Sequence, residues 1–109
     1  MTDSTNLLAG APASVGAMFA ERVRKTPHLE AYRYPEQGRW VSLTWAQTKE
    51  RADVLAAGFL ALGLGHEERV SLACSTRIEW VLLDLAVNSA GGAVTTIYPN
   101  SGPTELVHI

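Results

Sequence analysis

The spacing of apolar and polar positions predicts a first helix near the start of the chain. Its apolar stripe consists of Val15, Met18, Phe19 and Val23. Ser14 stands where a side-chain oxygen can cap this helix, and Thr26-Pro27 ends it, because the residue before a proline disfavours the helical conformation. Residues 1–13 are small, polar and without periodicity, so we expect a flexible tail there.

The spacing changes to strict alternation after the first helix. The runs Glu30–Tyr34 and Arg39–Leu43 flank Pro35-Glu36-Gln37-Gly38, which predicts a β-hairpin whose turn opens at the proline and closes at the glycine. The aromatic residues of these runs are interpreted as core or cross-strand packing; they are Tyr32, Tyr34 and Trp40.

A capping box predicts a second helix directly after the hairpin. In Thr44-Trp45-Ala46-Gln47 the threonine hydroxyl and the glutamine side chain can satisfy each other's backbone amides. We expect the helix to run from Trp45 to about Leu62 and to end at Gly63. Its predicted inward face consists of Trp45, Thr48, Ala52, Leu55, Phe59 and Leu62.

The next segment has the pattern of a βαβ unit with two parallel strands. Arg69–Cys74 and Ala93–Tyr98 are typical of buried strands, and Arg77–Ala90 between them is a helical stretch that is apolar nearly all round. We expect Thr76 and Glu79 to form a second capping box, and Trp80 to lie in the core together with Trp45. A helix with so little polar surface must be covered on several sides.

The last residues, Thr104–Ile109, begin another helical pattern after Pro103. A helix of under two turns is marginal by itself, and two parallel strands with one apolar helix lack covering layers. We therefore expect an α/β fold in which residues 14–109 are the truncated N-terminal part of a larger domain. The expected order is helix, β-hairpin, helix and βαβ unit.

Composition narrows the functional classes. The 109 residues are 47% hydrophobic and 18% charged, as in one globular domain. The net charge of −2 does not indicate the basic surface that binds nucleic acid. No apolar run reaches the roughly 20 residues that span a bilayer. The first residues lack the basic region of a secretory signal, and a cytoplasmic location is compatible with the single cysteine.

Few residues are candidates for chemistry. Cys74 lies in an apolar run and is interpreted as a buried, inert thiol. The turn Ser75-Thr76-Arg77 follows a strand and opens a helix, where anions can bind, but it lacks the glycines that allow close phosphate approach. A structural cap is therefore favoured for this turn.

The remaining titratable residues are interpreted as surface or capping groups. The histidines have no metal-like spacing; they are His28, His66 and His108. The carboxylates that come closest to forming pairs are Glu67, Glu68, Glu79 and Asp84. We therefore assign no catalytic, cofactor-binding or metal-ligating residue within these 109 positions.

The order of these segments and their sequence motifs resemble the N-terminus of adenylate-forming acyl-CoA synthetases, the AMP-binding superfamily. The resemblance covers about residues 14–109, and Glu79-Trp80 followed by Tyr98-Pro99 is most similar to the long-chain fatty acid branch. The positions that match the family pattern are Leu60, Leu62, Gly63, Arg69, Val70, Glu79, Trp80, Ala90, Gly92, Ala93, Val94, Tyr98 and Pro99. The departures from it are Glu67-Glu68, Thr76 and Asn100.

The resemblance implies a long-chain fatty acid–CoA ligase that uses ATP, Mg²⁺ and coenzyme A. A fatty acid carboxylate would form an acyl-adenylate, and the coenzyme A thiol would then displace AMP. The family's phosphate loop and catalytic lysine have no matching position here, so this segment would be scaffold, inactive by itself and partnered by the rest of its own chain. A homodimer and peripheral membrane contact stay open.

Two alternatives are carried alongside this interpretation. One is a ligase of the same superfamily for another carboxylate, such as an acyl or aryl acid. The other is a non-catalytic, flavodoxin-like α/β binding module, which would need further parallel strands.

Overall fold

The computed structural model describes residues 9–109, which fold into alternating helices and strands. In chain order these are α1 (Val15–Lys25), β1 (Glu30–Glu36), β2 (Arg39–Thr44), α2 (Trp45–Ala61), β3 (Arg69–Leu72), α3 (Ile78–Ser89), β4 (Ala93–Thr96) and α4 (Pro103–His108). β1 and β2 are antiparallel, whereas β3 and β4 are parallel and joined through α3. The predicted α/β class and element order are confirmed. Most of the expected tail, residues 1–8, lies outside the described residues.

Two of the predicted helix starts have the expected caps. The Ala17 amide donates to the Ser14 hydroxyl over 3.0 Å at the start of α1. At the start of α2 the Gln47 amide donates to Thr44 Oγ1 over 3.1 Å, and the Thr44 amide donates to Gln47 Oε1 over 2.9 Å. Each bond satisfies an amide that the first helical turn leaves without a backbone acceptor.

The hairpin turn is shorter than the sequence predicts. Pro35 lies inside β1 opposite Trp40, and the turn consists of Gln37 and Gly38, with φ of 49° and 75°. Two left-handed residues match the right-handed twist of the flanking strands, so this turn is favoured over a longer one. The proline is tolerated because a strand at the edge of a sheet can do without one amide donor.

The predicted second capping box is wrong. Arg77, rather than Thr76, occupies the cap position of α3, and no side chain bonds to the first turn. Glu79 accepts a 2.7 Å hydrogen bond from Arg77 Nε instead of reaching back to a threonine amide. β3 and β4 are also shorter than predicted, because their pairing lasts only from Arg69–Ala93 to Leu72–Thr96.

The three long helices pack around a small core. Phe19, Ala52 and Leu85 form its buried cluster, one from each helix, and Tyr32 and Trp45 pack against it. The centroid of the Trp45 ring lies 6.3 Å from that of Phe19 and 5.8 Å from that of Tyr32. Trp45 thereby takes part in the core, as expected, although it is half-buried.

Small side chains determine which face of α2 is turned inward. Thr48, Ala52 and Ala56 are buried there, whereas Leu62 is 87% exposed and the prediction that it lies on the inward face is wrong. The row i, i+4, i+8 of small residues lets α3 approach closely. Trp40, assigned from the sequence to core or cross-strand packing, is 72% exposed and lies opposite Pro35 of β1. Trp80 is half-buried and is not part of the buried cluster, so the expectation that it lies in the core is wrong.

Candidate functional site

The turn that follows β3 is exposed, and its cation, Arg77, forms an ion pair with Glu79. Arg77 Nε lies 2.7 Å from Glu79 Oε2, and this hydrogen bond holds the pKa of Glu79 below its usual range. Because the carboxylate stays ionised, it compensates the guanidinium charge at the start of α3. Ser75–Arg77 forms a turn, but the expectation that a side chain of this turn caps α3 is wrong, because no side chain bonds to the first turn of the helix.

The histidines lie apart from one another in the fold. His28 precedes β1, His66 follows α2 and His108 lies in α4, and all three are exposed. His66 Nε2 is 3.7 Å from Glu67 Oε1. Across residues 9–109, no group of three or more His, Cys, Asp or Glu side chains could hold a metal ion.

The thiol of Cys74 is half-buried, so the expectation of a buried cysteine is wrong. Its Sγ donates to the Ser75 carbonyl oxygen over 3.2 Å, just beyond the end of β3. A cavity of about 340 Å³ opens at this edge of the parallel sheet, with Trp80 and Tyr98 in its lining. Among the described residues, every buried polar side-chain atom has a hydrogen-bond partner.

A cleft lies between α1 and the aromatic cluster, and we call it the α1 cleft. It has a volume of about 480 Å³ and is lined by Gly10, Pro12, Val15, Met18, Phe19, Glu21, Arg22, Lys25, Tyr32, Trp45 and Leu85. Burial raises the pKa of Tyr32, and the charge of Asp84 adds to this effect. The sequence predicted the apolar stripe of α1. Its periodicity did not show that Val15 and Met18 remain exposed at the opening of a cleft.

A second depression runs between α2 and α3, and we call it the α2–α3 groove. It has a volume of about 440 Å³ and is lined by Arg51, Val54, Leu55, Glu79, Leu82 and Leu83. Val54 is 71% exposed although it is apolar. Exposed, contiguous apolar surface of this kind marks a face that receives another element or partner.

The element order and the parallel β3–β4 pair joined through α3 define an α/β fold. The chain belongs to the AMP-binding enzyme family, whose sequence pattern matches residues 19–109. The predicted family resemblance is thereby confirmed.

Two curated relatives show how far the similarity extends. The chain is 30% identical over 93 residues to long-chain-fatty-acid–CoA ligase FadD15 of Mycobacterium bovis, covering 85% of this chain and 16% of the relative. It is 30% identical over 96 residues to the mitochondrial medium-chain acyl-CoA ligase ACSF2 of Macaca fascicularis, covering 88% and 15%. The chain thus spans less than a fifth of the length of these relatives.

A solved structure has the same fold. The Mycobacterium tuberculosis fatty acyl CoA synthetase superposes with a TM-score of 0.74 and 27% identity, over 85% of this chain and 18% of that one. No helix within residues 9–109 is both long enough and apolar enough to cross a membrane.

Proposed function

We propose that this chain is a scaffold segment of an ATP-dependent acid–thiol ligase that acts on long-chain fatty acids. In the whole enzyme, a carboxylate oxygen attacks the α-phosphorus of ATP, the bond to the bridging oxygen breaks, and pyrophosphate leaves. The sulfur of coenzyme A then attacks the acyl carbon of the acyl-adenylate, and AMP leaves as the thioester forms. ATP, Mg²⁺ and coenzyme A are bound by parts of the enzyme other than residues 9–109.

The single observation that supports this proposal is the family match over residues 19–109. The similarity to FadD15, a long-chain-fatty-acid–CoA ligase, supports a long-chain substrate. The name of the ACSF2 relative supports a medium-chain acid as the second candidate. Membership of the AMP-binding family favours both over a flavodoxin-like module. A cytoplasmic location and a homodimer stay predictions.

The exposed apolar side chains support the scaffold role. Val54 in the α2–α3 groove, Leu62 and Leu60 at the end of α2, and Val107 in α4 are each more than half exposed. Further polypeptide of the same domain would cover these positions, since apolar surface of this extent is unfavourable in water. The isolated chain is therefore expected to associate and to have no ligase activity.

The proposal is tested by transplanting the segment. Residues 19–109 replace the matching part of the M. bovis FadD15 relative, and palmitate-dependent exchange of pyrophosphate into ATP is measured. We expect exchange by the chimera and none above a buffer blank by the 109-residue chain. A chimera with the circular dichroism of the parent but no exchange would overturn the proposal, and so would activity of the isolated chain.

The same assay separates the two candidate substrate classes. Palmitate, octanoate and benzoate are compared in the enzyme that carries this segment in its own natural sequence context. Preference for palmitate supports the long-chain assignment. Preference for octanoate supports the second candidate, and preference for benzoate contradicts both.

A further inference from the structure

The floor of the α1 cleft is aromatic and its mouth is aliphatic. Phe19 is buried, and the rings of Tyr32 and Trp45 lie half-buried beside it. Val15 and Met18 are 47% and 53% exposed, so they extend the apolar surface from the floor to the solvent. A volume of about 480 Å³ falls in the range of small-molecule sites. The cleft can therefore take an alkyl chain.

One end of the cleft carries a cation without a carboxylate partner. Arg22 lies one helical turn beyond Met18 on the same face of α1 and is exposed. Lys25 Nζ lies 2.8 Å from Glu21 Oε1, whereas Arg22 forms no ion pair with any side chain in the part of the chain that the structure describes.

Glu21 is ionised at neutral pH, so its ion pair with Lys25 persists there and Arg22 remains without a carboxylate partner among the described residues. The hydrogen bond from Lys25 holds the pKa of Glu21 below its usual range, and the charges of Arg24 and Arg22 act in the same direction. Glu21 and Lys25 therefore neutralise each other, and Arg22 supplies one net positive charge at the end of an apolar surface.

We propose that the α1 cleft binds a free long-chain carboxylate, with its alkyl chain on Phe19, Tyr32 and Trp45 and its head group on Arg22. Charge complementarity selects an anionic head, and a guanidinium can bind a carboxylate through two parallel hydrogen bonds. The choice of a carboxylate among anions rests on the proposed function, whose substrate has this chemistry. The cleft would be a second, non-reacting site for the acid, because residues 9–109 contain no cluster that could carry out the ligation.

Isothermal titration calorimetry with laurate, below the concentration at which laurate forms micelles, tests the head-group contact. The 109-residue chain should bind one laurate, and Arg22→Gln should weaken binding about three- to fivefold, as expected for an exposed ion pair. Arg24→Gln is the matched control, since Arg24 lies on the same helix outside the cleft. Dodecanol, which has the same chain without the charge, should bind the unsubstituted chain more weakly than laurate does.

A second pair of variants tests the alkyl contact. Met18→Ser removes an exposed apolar contact in the cleft and should weaken laurate binding, whereas Val54→Ser changes a still more exposed apolar residue in the α2–α3 groove and should not. Equal losses in both variants would mean adsorption to apolar surface in general and would overturn the proposal. Binding that is unchanged in both Arg22→Gln and Met18→Ser would overturn it as well.

The same titration on a chimera that carries residues 9–109, and therefore the whole cleft with Met18, keeps the test independent of association by the isolated chain. The ranking of the variants should be the same there, in the absence of ATP. A dimer that dissociates on Met18→Ser without laurate would show that a second copy occupies the cleft, and this would overturn the proposal. Failure of the chimera to exchange pyrophosphate would overturn only the proposed function, because laurate binding is measured without the reaction.

Discussion

The backbone of Gly16 in α1 lies against the backbone of Asn88 in α3. A Cβ atom placed on Gly16 would lie only 2.8 Å from the Asn88 carbonyl oxygen and 3.3 Å from Cα of Ser89. This contact sets how closely α1 approaches the end of α3, and therefore how deep Phe19 sits among its neighbours. Both atoms that a methyl group would meet belong to backbone, so neither can rotate away.

Gly16→Ala is expected to lower the free energy of unfolding by about 1–2 kcal/mol, because the helices must separate to admit the methyl group. Gly58→Ala is the matched control in α2, where nothing lies within 4 Å of the added atom. That change should raise stability by about 0.5–1 kcal/mol, since alanine has the higher helix propensity. Urea unfolding followed by circular dichroism measures both. Stabilisation by both changes would contradict the close contact.

Thr44→Ala is expected to destabilise the chain by about 1 kcal/mol, because the Gln47 amide loses its side-chain acceptor. Thr76→Ala should change stability by less than about 0.5 kcal/mol, since Thr76 caps nothing and lies exposed before α3. The two variants are compared by thermal unfolding under identical conditions. An equal loss in both would mean that Thr76 caps α3 after all.

Stability should decrease on the acid side partly because of Glu30. The Ser42 hydroxyl and the Arg33 guanidinium both donate to its carboxylate, and they hold the pKa of Glu30 below its usual range. A carboxylate with a lowered folded-state pKa stabilises the fold above its unfolded pKa of about 4.3, and this contribution disappears as the pH falls through the folded value.

Ser42→Ala removes the largest cause of that shift and should therefore flatten the acid limb of the stability profile. Glu30→Gln removes the titrating group and should flatten it further. The free energy of unfolding is measured by urea titration at a series of pH values from neutral to acid. A limb that is equally steep in all three proteins would contradict the assignment.

Trp45→Ala is expected to cost about 3 kcal/mol, because the ring packs on Phe19 and Tyr32. Trp40→Ala on the outer face of the hairpin should change stability by less than about 1 kcal/mol, since 72% of the residue is in contact with solvent. Thermal unfolding of the two variants compares them directly. A larger loss for Trp40 would mean that the outer face of the hairpin is covered.

Local patterns predicted the elements of the fold well. Helix α1, the Thr44–Gln47 box and the two β-branched strands each depend on neighbours within a few residues, and all are present. However, β3 and β4 are shorter than predicted, and Val15 and Met18 of the α1 stripe are exposed. The errors lie where the same neighbouring residues can form more than one local arrangement. Arg77 takes the Glu79 carboxylate that a capping box needed, and Pro35 joins a strand because a two-residue turn fits the hairpin better.

Tertiary packing also determines which apolar residues are buried, and periodicity cannot show it. Leu62 had the spacing of an inward residue, yet α3 packs on the row of Thr48, Ala52 and Ala56 instead. The α1 cleft arises in the same way, because its aromatic floor comes from α1, β1 and the start of α2. Since these residues are far apart in the sequence, no local pattern could predict the cleft.

The exposure of Trp40 has a consequence for optical work on this chain. Its indole lies largely in water in the folded state and in water again after unfolding, so its emission colour changes little between the two. We therefore expect any red shift on unfolding to come from Trp45 and Trp80, which are half-buried. Replacing Trp40 with phenylalanine would give a chain whose fluorescence reports on these two half-buried side chains alone.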